Sequence, residues 1–188
     1  MSSDGLRLTG PQGRDYVLGE AIEVFDGAVL IGQVQSVTPN PDRTEVLIKN
    51  FVTVDFASFR AGALPKLVLA EVVSFLAERF PSLQMVGIEL SRNITDFDGQ
   101  EALLARARSD ILQSIGAQDI HVAPKPQRGP AGHFAVTGIW RYDSASVAAL
   151  AAALQSQRTA YREGRDGSPP PPQPRPGMVE LLRKKRKG

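Results

Sequence analysis

The chain has 188 residues, 42% hydrophobic and 6% aromatic, enough for one domain with a packed core and too few for two comfortable ones. It contains no cysteine, which excludes a disulfide framework, a thiolate metal site and a cysteine nucleophile. The net charge of +2 conceals an asymmetry: residues 162–188 hold eight Lys/Arg against three Asp/Glu, leaving 14 against 17 in the rest. A mildly acidic body with a basic tail gives no strong nucleic-acid signal, because a basic binding stripe would belong to the fold itself. The first residues lack an apolar signal core, and no run approaches the roughly 18 apolar residues of a transmembrane segment. A cytoplasmic protein is the expectation.

Along the chain, apolar runs rich in β-branched residues predict strands over 21–25, 28–38 and 45–56. Asp26-Gly27 and the cluster Pro39-Asn40-Pro41-Asp42-Arg43 supply the turns between them, so the three form an antiparallel meander. Leu64, Val68, Val72, Phe75, Leu76 and Phe80 then follow helical spacing, with Pro65 in a first-turn position and Pro81 beyond the end. The nearly continuous apolar run 82–91 predicts a central strand buried on both faces. A second helix is expected from Asp98, with Glu101 completing a capping box, to Gly116, its inward face being Leu104, Ala107, Ile111 and Ile115. Strands over 119–125 and 133–142 form a hairpin, and an alanine-rich helix with a serine cap covers 144–164. Residues 1–164 thus form one α/β domain, and 165–188 a proline-rich linker with a basic tail, "MVELLRKKRK".

This element order resembles the GNAT superfamily of acetyl-CoA-dependent N-acetyltransferases from its second strand onward, in an N-terminally shortened form. "LIKNFVTV" (47–54) resembles that family's fourth strand, "FRAGALPKLVLAEVVSFL" (59–76) its phosphate loop and helix, and "GHFAVTGIWRY" (132–142) its closing strand. The fold class implied is a GNAT-like mixed sheet with an antiparallel meander, a helix, a central strand, a second helix and a C-terminal hairpin, plus a C-terminal helix.

The resemblance implies acetyl-CoA as the cofactor, held by Val52 and Val54 on the fourth strand and by Arg60, Ala61, Gly62, Ala63 and Lys66 around the loop. Such a loop works through consecutive backbone N–H groups at a helix N-terminus. Here Ala61 and Ala63 replace glycines of the family pattern, and Pro65 removes one donor. One lost hydrogen bond to a charged group costs about 1.5–3 kcal/mol. Binding is therefore expected to be weak, no better than about 0.1 mM.

The family's catalytic carboxylate has candidates in Glu45 and Asp55 on the fourth strand and Glu89 on the fifth, with Glu89 the preferred base; its tyrosine acid falls at Leu112, which cannot donate a proton, so Tyr142 and Tyr161 are the candidate replacements, with Tyr142 paired to Glu89 as the catalytic set. His121 and His133 lie on neighbouring predicted strands but lack an accompanying acidic pattern, and no metal is expected. The family's two acceptor-side helices between its first and second strands have no counterpart in the glycine-interrupted first twenty residues. These departures favour a non-catalytic or weakly catalytic binding module that engages a protein partner or a second copy through the uncovered sheet. The alternative is an N-acetyltransferase acting on a small-molecule or protein amine. The basic tail suits an acidic partner or an anionic surface.

Overall fold

A computed structural model describes residues 6–53, 63–91, 101–124 and 134–166. The elements in chain order are β1 (Arg7–Thr9), a single 3-10 turn (Pro11–Gly13), β2 (Ile22–Asp26), β3 (Val29–Pro39), β4 (Glu45–Thr53), α1 (Ala63–Arg79), β5 (Met85–Ser91), α2 (Glu101–Ser114), β6 (Gln118–Pro124), β7 (Phe134–Arg141) and α3 (Ser144–Asp166). The seven strands form one sheet in the order β1-β2-β3-β4-β5-β7-β6. Every neighbouring pair is antiparallel except β4 and β5, which α1 joins as a parallel crossover. The expected mixed α/β fold, meander and C-terminal hairpin all form.

The turns follow from their residues. Asn40 accepts hydrogen bonds from the amides of Thr44 (3.0 Å) and Glu45 (3.1 Å) through its side-chain oxygen, closing the β3–β4 connection. The first twenty residues, which showed no regular pattern, contribute β1 at the sheet edge and a turn held by Gln12 N–H on the Glu23 carboxylate at 3.1 Å. Tyr16 follows, buried edge-on against Phe75 and Phe80 at ring-centroid distances of 5.5 and 6.0 Å.

All three helices pack on one face of the sheet: α1 contacts β2, β3 and β4, α2 contacts β6 and β7, and α3 contacts both other helices. Helix α1 is buried almost all round, with Leu67, Val68, Leu69, Val72, Val73 and Leu76 each at 1% exposure or less, as befits a helix between a sheet and a second helix. Its one buried charge, Glu71, receives two hydrogen bonds from the Arg158 guanidinium of α3, at 2.6 and 2.8 Å. The inward face of α2 includes Ile111 and Ile115, as expected, together with Leu112, while Ala107 is exposed. Helix α3 is capped by Asp143 rather than by a serine: its carboxylate accepts the Ser146 amide at 2.8 Å, which holds the acid below its ordinary range.

The central strand departs from expectation in a way that matters for function. Val86, Ile88 and Leu90 are buried under the helices, but the alternate positions Met85, Gly87 and Glu89 face the side that none of the helices among the described residues covers. Alternation with a glycine and a carboxylate reads as a strand buried on one face only.

Candidate functional site

The parallel ladder between β4 and β5 runs from Glu45–Met85 to Lys49–Glu89. Both strands continue, β4 to Thr53 and β5 to Ser91, yet no further rung joins them among the described residues. At this point Asn50 takes a left-handed conformation (φ 56), which asparagine tolerates better than most residues. Asn50 and Gln35 drop out of the β3–β4 register there. Burial shifts accordingly: Val46 and Ile48 face the core, and three residues on, across the break, Phe51 packs against it too. The two parallel strands therefore part beyond Lys49 and Glu89, leaving the β5-facing edge of Asn50–Thr53 without a ladder partner among the described residues.

The open face around this opening is built in rows set by strand register. Ser36, Lys49, Glu89, Thr137 and His121 lie abreast across β3, β4, β5, β7 and β6. Two residues below, Leu47, Gly87 and Ile139 form an apolar row, and below that Glu45, Met85 and Arg141. Of these, Glu45, Leu47, Met85, Gly87, Glu89, His121, Thr137 and Ile139 line a cleft of about 790 Å³. Leu47 leans over Gly87, where an added Cβ would lie 3.2 Å from the Leu47 Cδ1. Glu89, only 14% exposed, pairs with the Lys49 ammonium at 3.1 Å. Arg141 pairs with Asp119 at 3.3 Å and reaches the Met85 sulfur at 3.6 Å.

Of the residues singled out from sequence, Glu89 stands at the apex of the opening, and Val52 on the unpaired stretch of β4, 43% exposed. Ala63 and Lys66 open α1, while Val54, Asp55, Arg60, Ala61 and Gly62 lie outside the described residues, as do His133 and the tail beyond 166. Tyr142 is not brought to Glu89. It lies beyond β7, five residues past the Thr137 that pairs with Glu89, roughly 17 Å along the strand. It lines a different cleft, about 660 Å³, between α1 and α3 on the helix face. Tyr161 is elsewhere again, donating its hydroxyl hydrogen to Asp26 at 2.7 Å. Leu112 is fully buried, its Cδ1 packed over Gly138. Sequence reasoning passed over Thr137 and treated His121 only as a metal candidate; the register that puts them beside Glu89 needs the order β5-β7-β6, which adjacent sequence does not reveal. Among the described residues no cluster of three or more His, Asp or Glu could hold a metal ion, and no helix is long and apolar enough to cross a membrane.

Neither a protein-family model nor a curated protein sequence matches the chain. Solved structures are similar in outline. One described as an acetyltransferase aligns with a TM-score of 0.48 at 16% identity over 73% of this chain; this chain spans only 63% of it. A Bacillus subtilis acetyltransferase in complex with CoA aligns with a TM-score of 0.43 at 11% identity, covering 67% of this chain and 78% of the other. A GNAT-family acetyltransferase from Streptococcus pneumoniae aligns with a TM-score of 0.43 at 13% identity, covering 65% of each. The parallel β4–β5 pair within an otherwise antiparallel sheet, the helix that joins the pair and the element order from β2 onward together make this a GNAT-like fold.

Proposed function

We propose that the chain binds an acyl-CoA in the opening between β4 and β5 and is at most a weak N-acyltransferase toward a primary amine held on the open sheet face. The observation that carries this reading is the end of the parallel ladder at Lys49–Glu89 while both strands run on. The unpaired edge of Asn50–Thr53 fits the amide-bearing arm of such a cofactor, because backbone N–H and C=O groups lacking a ladder partner seek one. Lys66 in the first turn of α1 adds a cation suited to phosphate. When bound, the cofactor would supply an activated thioester carbonyl. The chain's own residues would orient the amine: the Glu89 carboxylate attracts an ammonium group, and the Leu47, Gly87 and Ile139 row accepts its apolar stem. No proton donor occupies the family's acid position, since Leu112 is sealed in the core; this supports slow turnover.

The same burial of Leu112 favours a second reading, a binding module without transfer that presents the cofactor-loaded sheet face to a protein partner. Amide chemical-shift mapping with acetyl-CoA tests the shared premise. The expected result is movement concentrated at Asn50–Thr53 and Leu90–Ser91. Movement confined to other segments, or none at millimolar ligand, would overturn it. Release of free thiol in the presence of a primary amine then separates transfer from binding alone.

A further inference from the structure

We infer that His121 is the proton acceptor of the acceptor site, taking a proton from an alkylammonium group seated over Thr137; this rests on the reading above and deepens it. Glu89 and His121 flank Thr137 on adjacent strands, through the rungs Glu89–Thr137 and Thr137–His121, and all three line the open-face cleft. With strands about 4.8 Å apart, the Cα atoms of Glu89 and His121 stand about 10 Å from one another, so a nitrogen midway is within reach of both side chains and directly above the Thr137 hydroxyl.

The two flanking groups are chemically unequal. Glu89 is largely buried, and Lys49 pairs with its Oε2; as a carboxylate it has further lone pairs with which to accept a hydrogen bond from a cationic nitrogen. His121 is exposed, and the ring nitrogen of a neutral imidazole can accept a proton from the ammonium nitrogen and pass it to water. In the step, the N–H bond of the ammonium breaks, its electron pair stays on nitrogen as the nucleophilic lone pair, and the proton joins the neutral imidazole, which becomes imidazolium. The apolar row of Leu47, Gly87 and Ile139 begins two residues from this point and offers an alkyl stem an apolar surface, with the Leu47 side chain packed over Gly87. The charged groups on this face among the described residues are Asp119 on His121's own strand, Arg141 on the adjacent β7, Glu89 on β5, and Lys49 and Glu45 on β4; Asp119 and Arg141 are paired with each other, as are Lys49 and Glu89.

The chain contains only two histidines, so its imidazole NMR spectrum is simple, and His133→Asn leaves His121 alone. The probe is n-butylamine, with n-butanol as the neutral control. Adding the amine is expected to move the His121 ring signals and to lower its titration midpoint, since an adjacent cation disfavours imidazolium. Glu89→Gln should abolish both effects, and butanol should produce neither. Ring signals that stay in place at saturating amine, or that move equally with butanol, would overturn the site. This readout needs no acyl-CoA, so it can fail while the Asn50–Thr53 amides still respond to acetyl-CoA, or succeed when they do not. For the base role, thiol release from acetyl-CoA with n-butylamine should fall at least ~10-fold in His121→Asn at pH 7 and by less at pH 9, where more amine is already neutral. An equal loss at both pH values, or no wild-type turnover, would overturn that role.

Discussion

The Lys49 ammonium lies 3.1 Å from the Glu89 carboxylate across the last rung of the parallel β4–β5 ladder, where the strands begin to part. The pair fixes a carboxylate at the apex of the opening. Lys49→Met should leave this mostly buried group without its cation and cost about 1–3 kcal/mol, whereas Glu89→Gln, which keeps an acceptor for Lys49, should cost less. Urea unfolding of both variants checks the order. A Lys49→Met protein as stable as wild type would show that the pair does not organise the apex.

The Glu71–Arg158 contact ties α1 to α3. Glu71 is 5% exposed and both of its oxygens are engaged, so Arg158→Met should destabilise by about 3 kcal/mol by stranding a buried carboxylate. The double variant Glu71→Leu/Arg158→Met should regain most of the loss. A single variant no worse than the double would contradict the stranded-charge account.

Gly116 ends α2 with a positive φ of 79, and its carbonyl accepts the Ser146 hydroxyl at 3.1 Å. A Cβ there would lie 2.8 Å from that of Ala149 and 3.1 Å from the Ser146 Cα, and both the helix end and the α2–α3 contact would have to shift. Gly116→Ala should therefore cost more than the ~1 kcal/mol of the backbone conformation alone. Thermal unfolding measures this, and a change below about 0.5 kcal/mol would mean that α3 moves away at little cost.

Burial pushes the Tyr16 phenol up to about 12 from 10.0, with the Glu20 charge adding to the rise and the Gly19 backbone opposing it. The protonated form is the one favoured in the fold, so this contribution is intact below pH 10 and is lost as pH rises through about 12. The shift corresponds to about 2–3 kcal/mol. Stability should thus fall between pH 10 and 12 in wild type and fall less in Tyr16→Phe. Parallel curves for the two proteins would place the alkaline loss elsewhere.

The meander, the two crossover helices, the hairpin and α3 were legible because each rests on local signals: β-branched runs, Asp26-Gly27, Pro65 and Pro81 around α1, and Gly116 after α2. Three features were not legible, for a common reason. That β5 is buried on one side only, that Tyr142 lies far from Glu89 and that His121 lies near it all depend on how distant strands are ordered and which face the helices choose. Gly87 and Glu89 within an apolar run were the available hint, since a strand covered on both faces seldom alternates with such residues. The notch at Asn50 was hidden by a residue type that is common in strand ends and turns alike. In the first twenty residues the glycines rightly argued against an α-helix, and β1 went unseen because three residues are too short to show a period.

Titration calorimetry with acetyl-CoA tests the central claim most directly, namely that the parting of β4 and β5 is a binding site. The account predicts saturable one-site binding near 0.1 mM, about −5.5 kcal/mol, weakened at least ~10-fold when Asn50→Pro disturbs the notch in a protein that still unfolds cooperatively. Absence of binding at millimolar acetyl-CoA, or equal affinity in a folded Asn50→Pro variant, would contradict it.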